Sequence, residues 1–323
     1  MNSADEAKVK AAFEARNWRL IEKVVMSQFK EQRRARRWGI FFKFIALAYA
    51  LVLLFLWWGA PVLEDDEPDS PHVALINMKG VIADDKPAGA DAIISSLDRA
   101  YENPAAKAII LQINSPGGSP VQAGYIYDEI KRLQQLHPDK KCYAVIEDIG
   151  ASGGYYAAAA ADEIYADKAS IVGSIGVISS SFGFVDLMDK LGVERRTMTS
   201  GKYKDLMDPF SPRSSEVEVK WQQMLDITHQ QFISKVKEGR GDRLKQNPDM
   251  FTGMVWTGEQ AQQLGLVDAL GSARTVARDV VGVPLLKTYE PSRSPFDRLT
   301  ERLGVSVGET IAQQMGFTGP SIR

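Results

Sequence analysis

The chain has 323 residues, with 39 Lys and Arg residues, 41 Asp and Glu residues and one cysteine. The net charge of −2 offers no basic surplus for binding nucleic acid, and a single cysteine excludes an intrachain disulfide. The length leaves room for a membrane anchor followed by one domain of about 250 residues.

The first 63 residues have the pattern of a membrane anchor. Residues 1–38 carry ten Lys and Arg residues against five Asp and Glu residues, and residues 44–63 are twenty residues without a charge. About twenty apolar residues span a bilayer. We therefore predict a transmembrane helix at residues 39–63, with the basic segment cytoplasmic and the remainder exported. A cleaved signal peptide and a buried core helix are the alternatives, and the long apolar run between charged flanks disfavours both.

Strand-like and helix-like patterns alternate after a polar linker at residues 64–71. Apolar runs predict strands at residues 73–78, 107–113, 142–147, 164–166, 177–178 and 266–268. Helical spacing predicts helices at residues 88–100, 123–136, 155–161, 216–237 and 258–264. This order predicts a parallel α/β sheet in one domain at residues 72–282. A polar tail at residues 283–323 is compatible with an amphipathic helix at residues 296–315.

Two glycine-rich turns follow predicted strands, at the edge where the sites of parallel sheets lie. One of them holds Ser152 between a strand-like run and a helix-like run, which is the layout of a nucleophile on a sharp turn. Small neighbours let a substrate backbone approach, and the N–H groups of the following helix favour an oxyanion. The alternative is an ordinary turn in which Ser152 caps the helix.

A serine nucleophile needs a base, and the chain offers histidines and lysines. His72, His137 and His229 lie outside the glycine-rich and strand-end segments, so we interpret them as ordinary surface histidines. Lys202 and Lys204 lie in a turn-like segment with aromatic neighbours, and a neutral lysine is the other known partner of a catalytic serine. On this pattern alone both lysines are better explained as surface charges.

Other chemistry finds little support in the residues. Cys142 lies in an apolar strand pattern and is interpreted as a buried structural thiol rather than a nucleophile. The chain has no metal-ligand spacing and no phosphate-binding loop, so we predict neither a metal nor a cofactor.

Four short motifs occur in a specific order along the chain. They are NSPGGS at residues 114–119, ASGGYY at 151–156, GSIGV at 173–177 and SGKYKD at 200–205. Together with the membrane anchor, they resemble the signal peptide peptidase A family in its short, single-domain bacterial form. The resemblance covers residues 72–282 and implies a Clp protease/crotonase-type α/β fold with a Ser-Lys dyad.

The resemblance implies a role for individual residues at matching positions. Ser152 matches the nucleophile, and Lys204, rather than its neighbour Lys202, matches the general base. Ser174 matches the hydroxyl that orients the lysine amine. The implied reaction is peptide hydrolysis through an acyl-enzyme.

The oxyanion hole is also implied by the resemblance. The backbone N–H groups of Gly118 and Gly153 match its donors, and Gly117 stays open as the alternative to Gly118. Paired glycines let the backbone reach a scissile carbonyl, which agrees with this role.

The resemblance further implies substrates, assembly and location. The substrates are signal peptides already cut from preproteins, and the assembly is a ring-like homo-oligomer, an octamer, with the dyad shared between protomers. The protein is expected to pass the bacterial inner membrane once, bound to lipid through one helix, with the catalytic domain on the periplasmic side. The alternatives are a peptidase acting on other membrane or exported proteins, a non-proteolytic acyl-CoA-binding protein of the same fold, and an inactive scaffold.

Overall fold

The structure, a computed structural model, describes residues 36–54 and 70–291 together with residues 18, 26, 33 and 34. The chain divides into two compact units, Met1–Glu67 and Pro68–Arg323.

Helix α1 (Arg36–Leu54) belongs to the first unit and overlaps the start of the predicted transmembrane segment. Within the described residues it is the one helix long and apolar enough, by length and composition, to cross a membrane. The rest of that segment, most of the linker and the predicted tail helix at residues 296–315 lie outside the described residues.

The second unit contains a mixed sheet and helices over its described residues. The strands are β1 (His72–Lys79), β2 (Ala106–Ser115), β3 (Cys142–Ala151), β4 (Glu163–Ala166), β5 (Ile171–Gly173), β6 (Val255–Thr257), β7 (Ala269–Leu270) and β8 (Leu286–Thr288). The helices are α2 (Ala90–Glu102), α3 (Pro120–Leu136), α4 (Gly153–Ala158), α5 (Val185–Leu191), α6 (Ser215–Arg240), α7 (Gly258–Gln263) and the short α8 (Ala273–Thr275), which continues as a π-helix (Val276–Val281).

The sheet order is β6-β5-β3-β2-β1-β8, with β4 paired to β3 and β7. All these pairs are parallel except β5 with β6, so the predicted parallel α/β sheet is confirmed. Alternate residues of β2 enter two apolar clusters: Ile109 and Leu111 join the larger one, and Ile110 joins the smaller one. Burial on both faces explains why the central strands read as continuous apolar runs.

Two predicted strands are wrong. Residues 177–178 are irregular, because the strand in this region, β5, lies earlier and the chain turns at Ser174, whose φ is 50°. Residues 266–268 bury Leu266 and Val267 without forming a strand, and β7 begins only at Ala269. At Leu266 and Val267 burial of an apolar run does not require a strand, whereas Ile178 is exposed and has no strand to pair with.

Strand β8 lies beyond the predicted domain end at residue 282 and pairs with β1. The residue that follows it, Tyr289, is buried, and its hydroxyl lies 2.9 Å from Nε2 of His72. His72 is 1% exposed, so its interpretation as a surface histidine is wrong. We propose that the domain extends through Tyr289.

Cys142 is buried as predicted, and burial raises the pKa of its thiol to about 12.

A buried ion pair joins the end of α6 to the residues before β7. Arg240 is 1% exposed. Its guanidinium donates to the Asp268 carboxylate at 2.7 and 2.9 Å and to the Gly265 carbonyl at 2.8 and 3.0 Å. Burial alone would raise the pKa of Asp268, but the donors from Arg240 and from the Ile164 N–H outweigh it and hold the pKa below its usual range.

We expect Arg240→Met to lower the free energy of unfolding by about 3 kcal/mol, because it removes the buried cation of Asp268 and leaves only the longer contact with Arg243, at 3.4 Å. The thermal unfolding midpoint of the detergent-solubilised full chain measures the loss. Folding lowers the pKa of Asp268, so the ion pair stabilises the folded state at neutral pH. The difference in unfolding free energy between the wild type and Arg240→Met therefore becomes smaller as the pH falls through that pKa. Arg278→Met is the control, because its pair with Asp279 is exposed and contributes little to stability. Equal losses in the two variants would contradict the role of Arg240.

Candidate active site

Ser152 occupies a strained turn between β3 and α4. Its φ of 52° and ψ of −124° lie in a region that residues with a side chain rarely adopt. The Ser152 N–H donates to the Gly173 carbonyl at 2.8 Å, which ties the turn to the end of β5. The hydroxyl makes no capping hydrogen bond to α4, so the simple N-cap interpretation is wrong. The side chain is half-buried at the carboxyl end of the sheet.

The glycine-rich turn after β2 packs directly against the Ser152 turn. A Cβ atom on Gly117, whose φ is +100°, would lie 2.7 Å from both the Gly153 nitrogen and the Ser152 Cβ. A Cβ atom on Gly118, whose φ is +151°, would lie 2.1 Å from the Ile82 carbonyl oxygen. Both positions therefore require glycine, and the turn approaches the serine as closely as backbone atoms allow.

The hydrogen bonds of this turn distinguish the two candidate oxyanion donors. The Gly117 N–H donates to Ser115 Oγ at 3.1 Å. Ile82 bonds the residues on either side of Gly118, donating to the Gly117 carbonyl at 2.9 Å and accepting from the Ser119 N–H at 2.8 Å. In this parallel bridge the Gly118 N–H points away from Ile82, and the described part of the chain offers it no acceptor. The geometry favours Gly118 over Gly117 as the donor.

Ser174 follows β5 and lies at the same edge of the sheet as Ser152, because the preceding residues, Gly173 and Ala151, are partners in the parallel register. Its N–H donates to the Met254 carbonyl at 2.8 Å, and its φ is 50°. The next carbonyl, that of Ile175, lies 3.0 Å from Nε2 of His229 on α6. The Ser174 segment is therefore held from two directions, by the chain before β6 and by α6.

His229 holds this segment through its ring, a role that the sequence does not predict. His229 is half-buried, and its partner Ile175 is 54 positions away in the chain. Nothing in the local pattern around His229 indicates such a contact, so the sequence carried no signal for it.

The two candidate lysines differ in their surroundings. Lys202 Nζ lies 2.8 Å from the Glu216 carboxylate, which also accepts the Tyr203 hydroxyl. The bond to Glu216 raises the pKa of Lys202, which makes this lysine a poor base. Lys204 is exposed, and its ammonium group has no hydrogen bond or ion pair among residues 36–54 and 70–291.

The structure brings Ser152, Gly153, Gly118 and Ser174 together, and among the described residues no hydrogen bond or ion pair joins Lys204 to them. The lysine turn is anchored at Glu216, near the start of α6, whereas α6 contacts the Ser174 segment at His229. Thirteen helical residues separate these points, which is about 20 Å at 1.5 Å per residue.

No metal centre is present among the side chains that the structure describes. Within those residues no group of three His, Cys, Asp or Glu side chains is placed to hold a metal ion.

A mostly parallel sheet with a strained serine at the end of β3 and a glycine turn against it defines an α/β protein of the Clp protease/crotonase type. Residues 134–281 match the model of peptidase family S49. A Synechocystis sp. protein named "Putative protease slr0021" is 33% identical over 253 residues, which cover 76% of this chain and 88% of that protein. The chain therefore belongs to peptidase family S49, which confirms the family that the four motifs resemble.

Two further relatives are matched over only part of their own length. A protein from Brucella abortus named "Na(+)/H(+) antiporter NhaA" is 44% identical over 220 residues, which cover 68% of this chain but only 30% of that protein. A protein from Enterococcus faecium named "Putative signal peptide peptidase SppA" is 34% identical over 178 residues, 55% of this chain and 51% of the relative.

Proposed function

We propose that this protein is a membrane-anchored serine endopeptidase that hydrolyses cleaved signal peptides with a Ser152-Lys204 dyad. The observation that carries the proposal is the strained Ser152 turn packed against a Gly118 N–H without an acceptor among the described residues. Membership of a peptidase family supports the reaction class. The relative named as a signal peptide peptidase supports the substrate class.

The proposed reaction proceeds through an acyl-enzyme. Lys204, as the neutral amine, takes the proton of Ser152 while Oγ attacks the scissile carbonyl. The N–H groups of Gly118 and Gly153 stabilise the oxyanion, and Ser174 orients the amine. Lys204 then protonates the leaving amine, and in the second half it activates the water that hydrolyses the ester.

We propose that the two members of each dyad come from different protomers. The separation of the lysine turn from Ser152 along α6 supports this arrangement. The segment that carries Lys204 packs little against the rest of its own chain, since α5 contains no buried residue. Large apolar side chains are exposed along it and along the first half of α6: Ile178, Phe182, Leu187, Leu191, Val193, Met198, Val219, Met224 and Ile227. Such a surface is typical of an interface, and a second copy that covers it would receive Lys204 beside its Ser152.

The resemblance extends this assembly to a ring, and we propose an octamer. A head-to-tail contact repeated around a closed ring supplies every Ser152 with a Lys204 from its neighbour. We further propose that α1 anchors the ring in the bacterial inner membrane, with the basic segment cytoplasmic and the catalytic domain periplasmic.

Subunit mixing tests the shared dyad. We expect Ser152→Ala chains and Lys204→Ala chains, each inactive alone, to restore about a quarter of the wild-type peptidase rate when co-assembled at equal amounts, because one site in four then receives both intact residues. The two variants carry different affinity tags, so tandem purification isolates mixed particles for the assay.

Two copies of Ser152→Ala with the two tags serve as the control and should stay inactive. If mixed particles showed no activity at any ratio, while wild-type particles cleaved the peptide, a shared dyad would be excluded.

A further inference from the structure

Ser115, the last residue of β2, is fully buried beside the proposed oxyanion hole. Its hydroxyl donates to the Gly80 carbonyl at 2.6 Å and accepts from the Gly117 N–H at 3.1 Å. A serine hydroxyl has one proton, so donation to the carbonyl leaves its oxygen free to accept from the amide. The side chain thus links the end of β1 to the glycine turn.

The backbone of Ser115 is fixed to the nucleophile side of the site. Ser115 pairs with Gly150 in the parallel register of β2 and β3, two residues before Ser152. A Cβ atom on Gly154 would lie 2.8 Å from the Ser115 carbonyl oxygen, so the start of α4 packs on the same residue. The strand register and this packing therefore fix the position of Ser115 relative to Ser152.

The glycine turn needs such an anchor because it has no side chains of its own to hold it. Gly117 and Gly118 have φ values of +100° and +151°, and glycine peptides rotate at little steric cost. The Gly117 N–H is held by Ser115 and its carbonyl by Ile82. Together these two bonds set the plane of the next peptide, which carries the Gly118 N–H.

We propose that Ser115 is a positioning residue of the oxyanion hole. Its hydroxyl fixes the Gly117 amide so that the Gly118 N–H points at the scissile carbonyl. The inference rests on the proposed acyl transfer at Ser152 and adds a group outside the dyad. Ser115 touches no substrate atom, so its effect is on the geometry of the transition state and not on binding of the ground state.

The test compares Ser115→Ala with Ser115→Cys in the detergent-solubilised full chain. We expect kcat for a peptide substrate to fall about 10-fold to 100-fold in both variants with KM within about twofold, since losing an oxyanion donor outright costs about 10²–10³-fold. The Ki of a peptide aldehyde, a transition-state analogue, should rise by the same factor as kcat/KM falls. Cysteine has the same connectivity as serine with a larger Sγ atom, and it fills the site but is a weak hydrogen-bond donor and acceptor. If Ser115 only filled space, the cysteine variant would therefore keep the activity that the alanine variant loses.

Ser96→Ala is the matched control, because Ser96 is also fully buried and its hydroxyl donates to the Ala92 carbonyl within α2. It should keep wild-type kcat and aldehyde affinity. Wild-type kcat in Ser115→Cys, or an unchanged aldehyde Ki in an impaired variant, would overturn the positioning role. A wild-type chain that cleaves no peptide would instead overturn the proposed function, and with it this inference.

Discussion

Replacing Ser152 with alanine should lower peptide hydrolysis by about 10⁶-fold, which is the size of the loss when a catalytic serine is removed. The reason is geometric: the turn holds the hydroxyl half-buried at the carboxyl end of the sheet, against the glycine turn and free of a capping bond. Cleavage of a synthetic signal peptide by the detergent-solubilised chain measures the loss.

Covalent labelling provides a second measurement for the same variant. A fluorophosphonate probe should modify the wild-type chain and fail to modify Ser152→Ala, because only an activated serine reacts. Ser179→Ala is the matched control, since Ser179 is an exposed serine shortly after Ser174 and should label like the wild type. Undiminished labelling of Ser152→Ala would place the nucleophile elsewhere.

Replacing Lys204 with alanine should lower the rate about as much as replacing Ser152, and the double variant should be no worse than either single variant. The two residues act as a unit, so their losses are not additive. Lys202→Ala should keep the rate within about threefold, because the bond to Glu216 raises the pKa of Lys202 and keeps it protonated. Values of kcat/KM for the three variants measure the contrast.

The pH profile and a charge-retaining variant separate a base from a mere positive charge. The wild-type rate should rise with pH, because only the neutral amine accepts the Ser152 proton. Lys204→Arg should be as inactive as Lys204→Ala, since a guanidinium stays protonated. An active Lys204→Arg, or an inactive Lys202→Ala beside an active Lys204→Ala, would refute the assignment of the base.

The local pattern of the sequence was sufficient for the central strands and for the serine turn. The apolar runs at β2 and β3 reflect burial on both faces, which is a property of each strand by itself. The small residues around Ser152 reflect a close backbone approach that any fold with this turn requires. Short elements at the sheet edge were missed, because β6 and β8 have three residues each and acquire their structure by pairing with distant strands.

The choice between alternatives at the site came from contacts between distant segments. The sequence left Gly117 and Gly118 open as oxyanion donors, and the bond from Gly117 to Ser115 favours Gly118. The resemblance already assigned the base to Lys204 rather than Lys202, and the pair between Lys202 and Glu216 agrees with that choice. Each contact depends on side-chain placement that spacing along the chain does not report.

The sequence by itself determined the parallel α/β architecture, the membership of the family and the candidate nucleophile, because periodicity, turn chemistry and motif order are local properties. Only the tertiary structure decided which groups meet. It buried His72 against Tyr289, and it placed the lysine turn at Glu216, near the start of α6, whereas His229, further along α6, contacts the Ile175 carbonyl. A rigid helix converts separation in sequence into separation in space, and this supports the proposal that the base comes from a neighbouring copy.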